Sequence, residues 1–183
     1  TKTGFADDFQ ADLVNHGGVN KALFLFSSIT YEKINSYFDN SFDMTNMAFF
    51  GENLILDKIC EKDICVGDIL KIGQAKVQIT QPRQPCWKLS ANSLKNSMTK
   101  FIFETGLTGF YAKVLKEGQI SQNDDVVLEQ RTNPNLTIEK LNQIIVEPKI
   151  DINLTKEALA CEDLGHQFKN SLIKRYELGD EDN

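Results

Sequence analysis

The sequence predicts a mostly β, barrel-like domain with inserted helices, followed by a small module of three helices, so that the fold is α+β overall. Two observations lead to this prediction. Up to residue 131, short apolar or alternating runs are separated by turn residues, which is typical of a barrel-like sheet. From Thr132 onward, apolar residues recur at helical spacing instead. We therefore place a barrel domain at residues 1–131 and a helical module at residues 132–183.

The strand candidates follow one another along the barrel domain. Residues 22–26 form a continuous apolar run of strand length, and residues 54–56 form a shorter one. Residues 68–72 and 75–80 flank Gly73-Gln74, a pair suited to a type II′ hairpin turn. The last two candidates are residues 110–115 and 126–128, on either side of a turn that starts at Lys116.

Two inserted helices are predicted from apolar residues at helical spacing. The first begins near Ser28 or Thr30, because either hydroxyl can cap it. The second ends at Gly106, since glycine commonly stops a helix. Their apolar faces consist of Tyr31, Ile34 and Phe38 in the first helix, and of Leu94, Met98, Phe101 and Ile102 in the second.

The helical module begins after an Asn133-Pro134-Asn135 linker. Residues 136–145 predict a first helix, which Pro148 would end. Asn153 can cap a second helix over residues 154–159. The third helix contains Leu164, Phe168 and Leu172 at helical spacing. Cations are few in this module and its end is acidic, which argues against a DNA-binding helix-turn-helix.

The charge distribution favours an anionic ligand. Residues 67–116 contain eight cations and two acids, a net charge of +6, whereas the rest of the chain has 12 cations and 24 acids, a net charge of −12. Nucleic-acid binding would require a basic domain. No apolar run approaches the roughly 20 residues that cross a bilayer, and the chain does not start with a secretion signal. Four cysteines without framework spacing then predict the cytoplasm.

The loop Gln81-Pro82-Arg83-Gln84-Pro85-Cys86-Trp87-Lys88 is the first candidate for chemistry. Its two prolines fix φ and remove backbone donors, so the loop is rigid. Arg83 and Lys88 are expected to lower the pKa of the Cys86 thiol and to favour the thiolate, which attacks electrophiles and binds metals. A buried structural cysteine in a rigid turn is the alternative interpretation.

The second candidate is His16-Gly17-Gly18. Its glycines let the backbone approach a ligand closely, and the histidine can carry a proton near neutral pH. Asp12 lies four residues earlier and would orient His16. Lys21 flanks this loop, and Glu52 and Asn53 would line the same pocket from another side.

Other sites are less well supported by the sequence. Cys60 and Cys65 have metal-ligand spacing, but no second pair follows and apolar residues surround them, so we predict core packing. A hydrolase built on Cys86 and His16 would need an oxyanion site and an orienting group that the sequence does not locate. His166 is assigned no role. Neither Gly-x-Gly-x-x-Gly nor a Walker A motif is present, so no nucleotide site is predicted.

Three stretches, in this order and at this spacing, resemble the MOSC domain (molybdenum cofactor sulfurase C-terminal), and most closely its YiiM-type members. The tail is similar to the small helical domain that follows MOSC in those proteins. The first stretch is Asp8-Phe9-Gln10-Ala11-Asp12 with His16-Gly17-Gly18 and Lys21-Ala22, the second is Phe50-Gly51-Glu52-Asn53-Leu54, and the third runs from Gly67-Asp68-Ile69 to Gln81-Pro82-Arg83 and Pro85-Cys86.

The resemblance implies an enzyme that uses the molybdenum cofactor (molybdopterin) to reduce N-hydroxylated compounds, such as hydroxylamino-purines, to amines for detoxification. Cys86 would be the molybdenum ligand, and His16, oriented by Asp12, would deliver protons. A separate flavin or iron-sulfur reductase would supply electrons, and a homodimer is compatible with this reading. Cofactor-binding residues would be Arg83, Lys88, Gly17, Gly18, Lys21, Glu52, Asn53 and Gln81. The alternative is a non-catalytic cofactor-binding or sulfur-carrier module that uses a Cys86 persulfide.

The resemblance also predicts how the parts lie in space. His16 and Cys86 should open on the same end of the barrel, into one pocket. Domains of this family begin before the position that corresponds to Thr1, so the chain is expected to be a fragment whose pocket is open on one side. The helical module should lie away from this pocket or only rim it, because it offers no matching polar cluster.

Overall fold

The computed structural model of the protein describes residues 1–6, 18–42 and 48–181, with the backbone alone for residues 178–181. Within these residues, six strands form one mixed sheet, in the order β2-β1-β5-β4-β3-β6, which curves into a half-barrel. This confirms the predicted α+β, barrel-like fold with helices. The strands are β1 (Leu23–Ser27), β2 (Leu54–Leu56), β3 (Ile69–Ile72), β4 (Ala75–Pro82), β5 (Phe110–Lys116) and β6 (Val126–Gln130).

Strand β1 is buried on both faces, which explains its continuous apolar sequence. Alternate side chains point to opposite faces of a strand. Leu23 and Leu25 therefore join one core cluster, while Phe24 and Phe26 join a second cluster that is rich in aromatic residues. Strand β1 lies between β2, to which it is parallel, and β5, to which it is antiparallel.

The predicted hairpin is confirmed between β3 and β4, which pair antiparallel from Ile69↔Gln78 to Ile72↔Ala75. Gly73, at the turn, has a φ of 55°. Strands β5 and β6 do not form a hairpin with each other. Strand β5 pairs with β4 and β1, whereas β6 pairs with the outer side of β3.

Helix α1 (Ser28–Tyr37) has the predicted buried residues, and its cap is one position earlier than expected. The hydroxyl of Ser27 accepts a hydrogen bond from the amide of Ile29 at 3.2 Å. Tyr31 and Ile34 on the helix, and Phe38 just after it, are buried in the aromatic-rich cluster.

The single helix predicted across Leu94 is wrong. Two helices are present, α2 (Lys88–Ser93) and α3 (Met98–Thr105), and Leu94 between them has a φ of 55° and is 89% exposed. The hydroxyl of Ser90 accepts from the amide of Thr99, which folds α2 against α3. Met98 and Ile102 are buried as predicted, and Gly106 ends α3 with a φ of 70°.

The C-terminal part contains α4 (Ile138–Val146), α5 (Ile152–Ala160) and α6 (His166–Glu181), which confirms the three predicted helices. Thr137 caps α4 by accepting from the amide of Lys140. The predicted cap at Asn153 is wrong, because Asp151 caps α5 and Asn153 lies inside it. An aspartate accepts the first-turn amides as readily as an asparagine does.

Helices and sheet share one core cluster. It contains Leu70, Val77 and Ile79 from the sheet together with Leu141 from α4 and Phe168 from α6. The strands end at Gln130 and the helices resume at Ile138, while the domain boundary at residues 131/132 stays a prediction. Within residues 1–6, 18–42 and 48–181, no helix combines the length and apolar character that a membrane crossing requires.

Candidate functional site

The loop that carries Cys86 is fixed at both of its ends. Pro82 pairs with Phe110 at the end of β4, and the amide of Arg83 donates to the carbonyl of Gly109 at 3.1 Å. The carbonyl of Cys86 accepts from the amide of Leu89 at 3.0 Å and from the hydroxyl of Thr99 at 2.9 Å. The half-buried thiol of Cys86 is free, so a rigid frame presents a reduced sulfur atom.

Arg83 is a buried cation whose hydrogen-bonding capacity is not filled. Its side chain is 7% exposed, and its Nε and Nη1 have no hydrogen-bond partner among the described residues. Burial lowers the pKa of Arg83, while Tyr111 and Cys86 beside it act in the opposite direction. A guanidinium stays charged in proteins, and a buried charge without a counter-ion is costly. An anion that accepts hydrogen bonds from these two nitrogens would therefore reduce the cost of burying Arg83.

Tyr111 on β5 lies between two cations. The Nζ atom of Lys21 is 5.2 Å from the centroid of the Tyr111 ring, and Arg83 interacts with the Tyr111 hydroxyl. Burial raises the pKa of Tyr111, and Arg83 opposes that rise. Tyr111 was not predicted as a site residue, because an aromatic residue in an apolar strand is typical of core packing.

Glu52 and Tyr31 form a second buried polar group near Arg83. Oε2 of Glu52 accepts from the amide of Phe50 at 3.0 Å, whereas its Oε1 and the hydroxyl of Tyr31 have no hydrogen-bond partner among the described residues. Burial raises the pKa of Glu52, and the charge of Arg83 partly offsets this. Burial, and then the charge of Glu52, raise the pKa of Tyr31. Glu52 is thus suited to hold a proton.

Asn53, Gly18 and Lys88 occupy different surroundings. The side-chain oxygen of Asn53 accepts from the backbone amide of Phe24 at 2.7 Å, and the backbone amide of Asn53 donates to the carbonyl of Phe24. Asn53 therefore fixes β1. Gly18 has a φ of 98°, which favours glycine, and precedes a 3-10 turn at Val19–Lys21. Lys88 is the first residue of α2 and is exposed.

Lys21 and Gln81 meet the start of α6. Lys21 is 8% exposed, and its Nζ donates to Oε1 of Gln167. Gln81 is 1% exposed, and its Nε2 has no hydrogen-bond partner among the described residues. The hydroxyl of Ser171 donates to Oε1 of Gln84 at 3.3 Å. The helical module therefore contributes polar contacts to this region, which its sequence did not indicate.

Three predicted site residues, His16, Asp12 and Gly17, lie outside the described residues. The placement of His16 beside Cys86 therefore stays a prediction.

The other three cysteines are less suited to bind a metal. Cys60 and Cys65 are buried, as predicted for core residues, and burial raises the pKa of both thiols and of Cys161. The thiol of Cys60 donates to Oδ2 of Asp63 at 3.1 Å. A raised pKa disfavours the thiolate that a metal needs.

The residues present fit an anionic, sulfur-ligated group. Unfilled donors at Arg83 and Gln81 can bind oxygen atoms of an anion, and the thiol of Cys86 is a soft ligand of the kind that suits a redox-active metal. Gln81 lies near the end of β4, Arg83 and Cys86 lie in the loop that follows it, and Lys21 lies in the 3-10 turn before β1.

Comparisons with known proteins agree with this arrangement. YflK of Bacillus subtilis is 33% identical over 174 residues, covering 95% of this chain and 77% of that protein. A protein of Gibberella moniliformis named "Reductase" is 28% identical over 156 residues, covering 85% of this chain and 28% of that longer protein. The crystal structure of YiiM from Geobacillus stearothermophilus superposes with a TM-score of 0.79 and 32% identity, covering 86% of this chain and 80% of that one. The family model for the MOSC domain matches residues 12–127. The chain therefore belongs to the MOSC domain family.

Proposed function

We propose that this protein is a reductase that uses the molybdenum cofactor to convert N-hydroxylated compounds, such as hydroxylamino-purines, into amines. Family membership supports a role related to this cofactor, since the MOSC domain is associated with binding it. The Gibberella moniliformis relative is named a reductase, which supports the reductase assignment. The observation that carries the proposal is the buried Arg83, with two unfilled donor nitrogens close to the free thiol of Cys86.

Cys86 would hold the metal and Arg83 would hold an anionic part of the cofactor. The thiolate is a soft ligand and the guanidinium can bind two oxygen atoms at once. Lys21, in the turn before β1, adds a cation, and Gln81, near the end of β4, adds an amide donor. When bound, the cofactor supplies a metal that exchanges electron pairs. The rigid loop around Cys86 would keep the sulfur in place through that exchange.

Reduction of an N-hydroxylated amine consumes two electrons and two protons, and yields the amine and water. The electrons would come from a separate flavin or iron-sulfur reductase. His16, oriented by Asp12, is proposed to deliver protons, although both lie outside the described residues. Glu52 is a second proton carrier in the described part, because burial raises its pKa and its Oε1 has no partner there.

The test separates this enzyme from a non-catalytic carrier. Protein produced in cells with and without cofactor biosynthesis is analysed for molybdenum, and then supplied with hydroxylamino-purine and a chemical electron donor. We expect about one molybdenum per chain only in the first preparation, and amine formation only by that preparation. Metal without turnover would favour a cofactor-binding or persulfide-carrier module, and absence of metal in both would reject the proposal.

A further inference from the structure

Glu61 is a buried acid in the segment between β2 and β3, and it is 5% exposed. Both oxygens of its carboxyl group accept hydrogen bonds. Oε2 accepts from the hydroxyl of Thr30 on α1 at 2.6 Å, and Oε1 accepts from the amide of Gly109, just before β5, at 2.9 Å. Among the described residues, no cation forms a salt bridge with it. Burying an acid is costly, and an apolar side chain of similar volume often stabilises a fold as well. The contacts of Glu61 therefore indicate a role in geometry.

Gly109 connects Glu61 to the loop that follows β4. Its amide donates to Glu61, and its carbonyl accepts from the amide of Arg83 at 3.1 Å. The φ of Gly109 is 68°, and a Cβ there would come within 2.5 Å of the ring of Phe26 and 2.7 Å of the carbonyl oxygen of Leu25. Gly109 therefore packs directly against β1, and the place of its carbonyl sets the place of the Arg83 backbone.

Helix α4 contacts the same segment. The side-chain amide of Asn142 donates to the carbonyl of Gly106 at 2.8 Å and to the hydroxyl of Thr108 at 2.9 Å. That hydroxyl donates in turn to the carbonyl of Gly109 at 2.8 Å. These contacts hold the residues before Gly109, whereas the acceptor for the Gly109 amide is Glu61. Removal of the Glu61 carboxyl group would therefore leave a buried donor unpaired next to the Arg83 loop.

We propose that Glu61 is a positioning residue for the candidate site. Its carboxyl group holds Gly109, and Gly109 holds the backbone of Arg83 at the start of the loop that carries Cys86. The guanidinium of Arg83 and the thiol of Cys86 follow this anchored amide closely in the chain, so a shift of the amide moves both groups. The expected effect on turnover rests on the proposed function, whereas the effect on the loop does not.

Three substitutions test this role in cofactor-free protein. Glu61→Met keeps the length of the side chain and removes both acceptors. Glu61→Gln is the conservative variant, because its oxygen can accept from Gly109 while its amino group donates to Thr30. Thr30→Val keeps the shape of that side chain and removes the hydroxyl that orients Glu61. The matched control is Thr155→Val, which removes a different buried hydrogen bond, from the Thr155 hydroxyl to the carbonyl of Pro148 at 2.7 Å.

Two measurements report on the loop itself. One is the hydrogen exchange rate of the Arg83 amide, followed by NMR under native conditions. The other is the rate at which iodoacetamide alkylates Cys86, followed by peptide mass spectrometry. We expect Glu61→Met to raise both rates about fivefold or more, because the loop opens locally more often once its anchor is lost. Glu61→Gln and Thr155→Val should change them by less than about twofold, and Thr30→Val should lie between.

Unchanged rates at Arg83 and Cys86 in Glu61→Met would overturn the proposal. Equal changes in Glu61→Met and Thr155→Val would also overturn it, since they would show a loss of stability alone. Equal changes in Glu61→Met and Glu61→Gln would contradict the assigned role of the acceptor. If Glu61→Met does not fold, Thr30→Val decides, and parental rates in that variant would reject the proposal.

Turnover is measured separately, on protein loaded with cofactor. Glu61→Met should have a lower kcat/KM for hydroxylamino-purine than the parent protein, and Glu61→Gln should have nearly the parental value. If the parent protein binds no molybdenum and forms no amine, the proposed function fails. The exchange and alkylation rates would still decide whether Glu61 positions the loop.

Discussion

The guanidinium carbon of Arg83 lies 5.3 Å from the centroid of the Phe24 ring. This contact joins the loop that follows β4 to a residue of β1. Strand β5 lies between β4 and β1 in the sheet. Tyr111 of β5 completes the group, with its ring centroid 5.2 Å from that of Phe24. An aromatic face attracts a cation but supplies no net negative charge. Phe24 and Tyr111 therefore hold Arg83 in place and leave its charge available to a ligand.

Replacement of Cys86 by serine should abolish molybdenum retention and leave the fold intact. A hydroxyl is nearly isosteric with the thiol and is a poor soft-metal ligand. Cys86 is half-buried and its structural contacts use its carbonyl, which the substitution keeps. Metal content and thermal unfolding are measured together. Cys65→Ser is the control, since this buried position should lose stability instead. Full metal content in Cys86→Ser would end the ligand assignment.

Replacement of Arg83 by methionine should weaken cofactor retention by roughly 1.5–3 kcal/mol, because a charge-assisted contact is lost. The same change should raise the stability of cofactor-free protein by about 1–3 kcal/mol, since it removes a buried cation whose Nε and Nη1 have no hydrogen-bond partner among the described residues. Cofactor dissociation and urea unfolding are the two measurements. Lys100→Met, at an exposed pair with Glu104, should change neither. Lower stability without weaker retention would show a purely structural arginine.

The Glu52→Gln variant should be more stable than the parent protein at neutral pH and equally stable near pH 4. A raised pKa means that the folded protein binds the proton of Glu52 more tightly than the unfolded chain does. The contribution of Glu52 to stability is therefore complete below the ordinary pKa of a glutamate and is lost as the pH rises above it. Urea unfolding between pH 4 and 8 measures the difference. A difference that does not change with pH would contradict a raised pKa for Glu52.

The Asp68–Arg131 ion pair should respond asymmetrically to substitution. Asp68 is fully buried and accepts from Arg131 at 2.7 and 2.9 Å, whereas the Arg131 side chain is 34% exposed. Arg131→Met leaves a buried carboxylate unpaired and should cost about 3 kcal/mol. Asp68→Asn should cost less, because Arg131 can turn toward water. Chemical unfolding measures both, with Lys58→Met at an exposed pair as the control. Equal losses would contradict this view of the pair.

Local patterns predicted most of the fold because local forces determine it. The apolar run of β1 and the turn at Gly73 depend on neighbouring residues in the chain. The break at Leu94 escaped prediction, since hydroxyl contacts made by Ser90 and Thr99 bring two short helices together. The spacing of apolar residues does not predict such contacts.

The candidate site was predictable only where a motif marks it. Arg83 and Cys86 stand out beside two prolines in the sequence. Tyr111 and His166 do not, because their surroundings arise from contacts with residues far away in the chain. The surroundings of these two residues therefore depend on the long-range packing of β5 and α6, which local sequence patterns do not indicate.

The core shared by the sheet and the C-terminal helices has a consequence for how the protein unfolds. Leu141 and Phe168 cover the same apolar surface as Val77 and Ile79, so neither part can open without exposing the other to water. Melting should then be a single cooperative transition, and a protein cut at residue 131 should aggregate rather than persist as a free barrel. The C-terminal helices therefore stabilise the barrel. A ligand that contacts both the helices and the sheet would raise the stability of the whole protein.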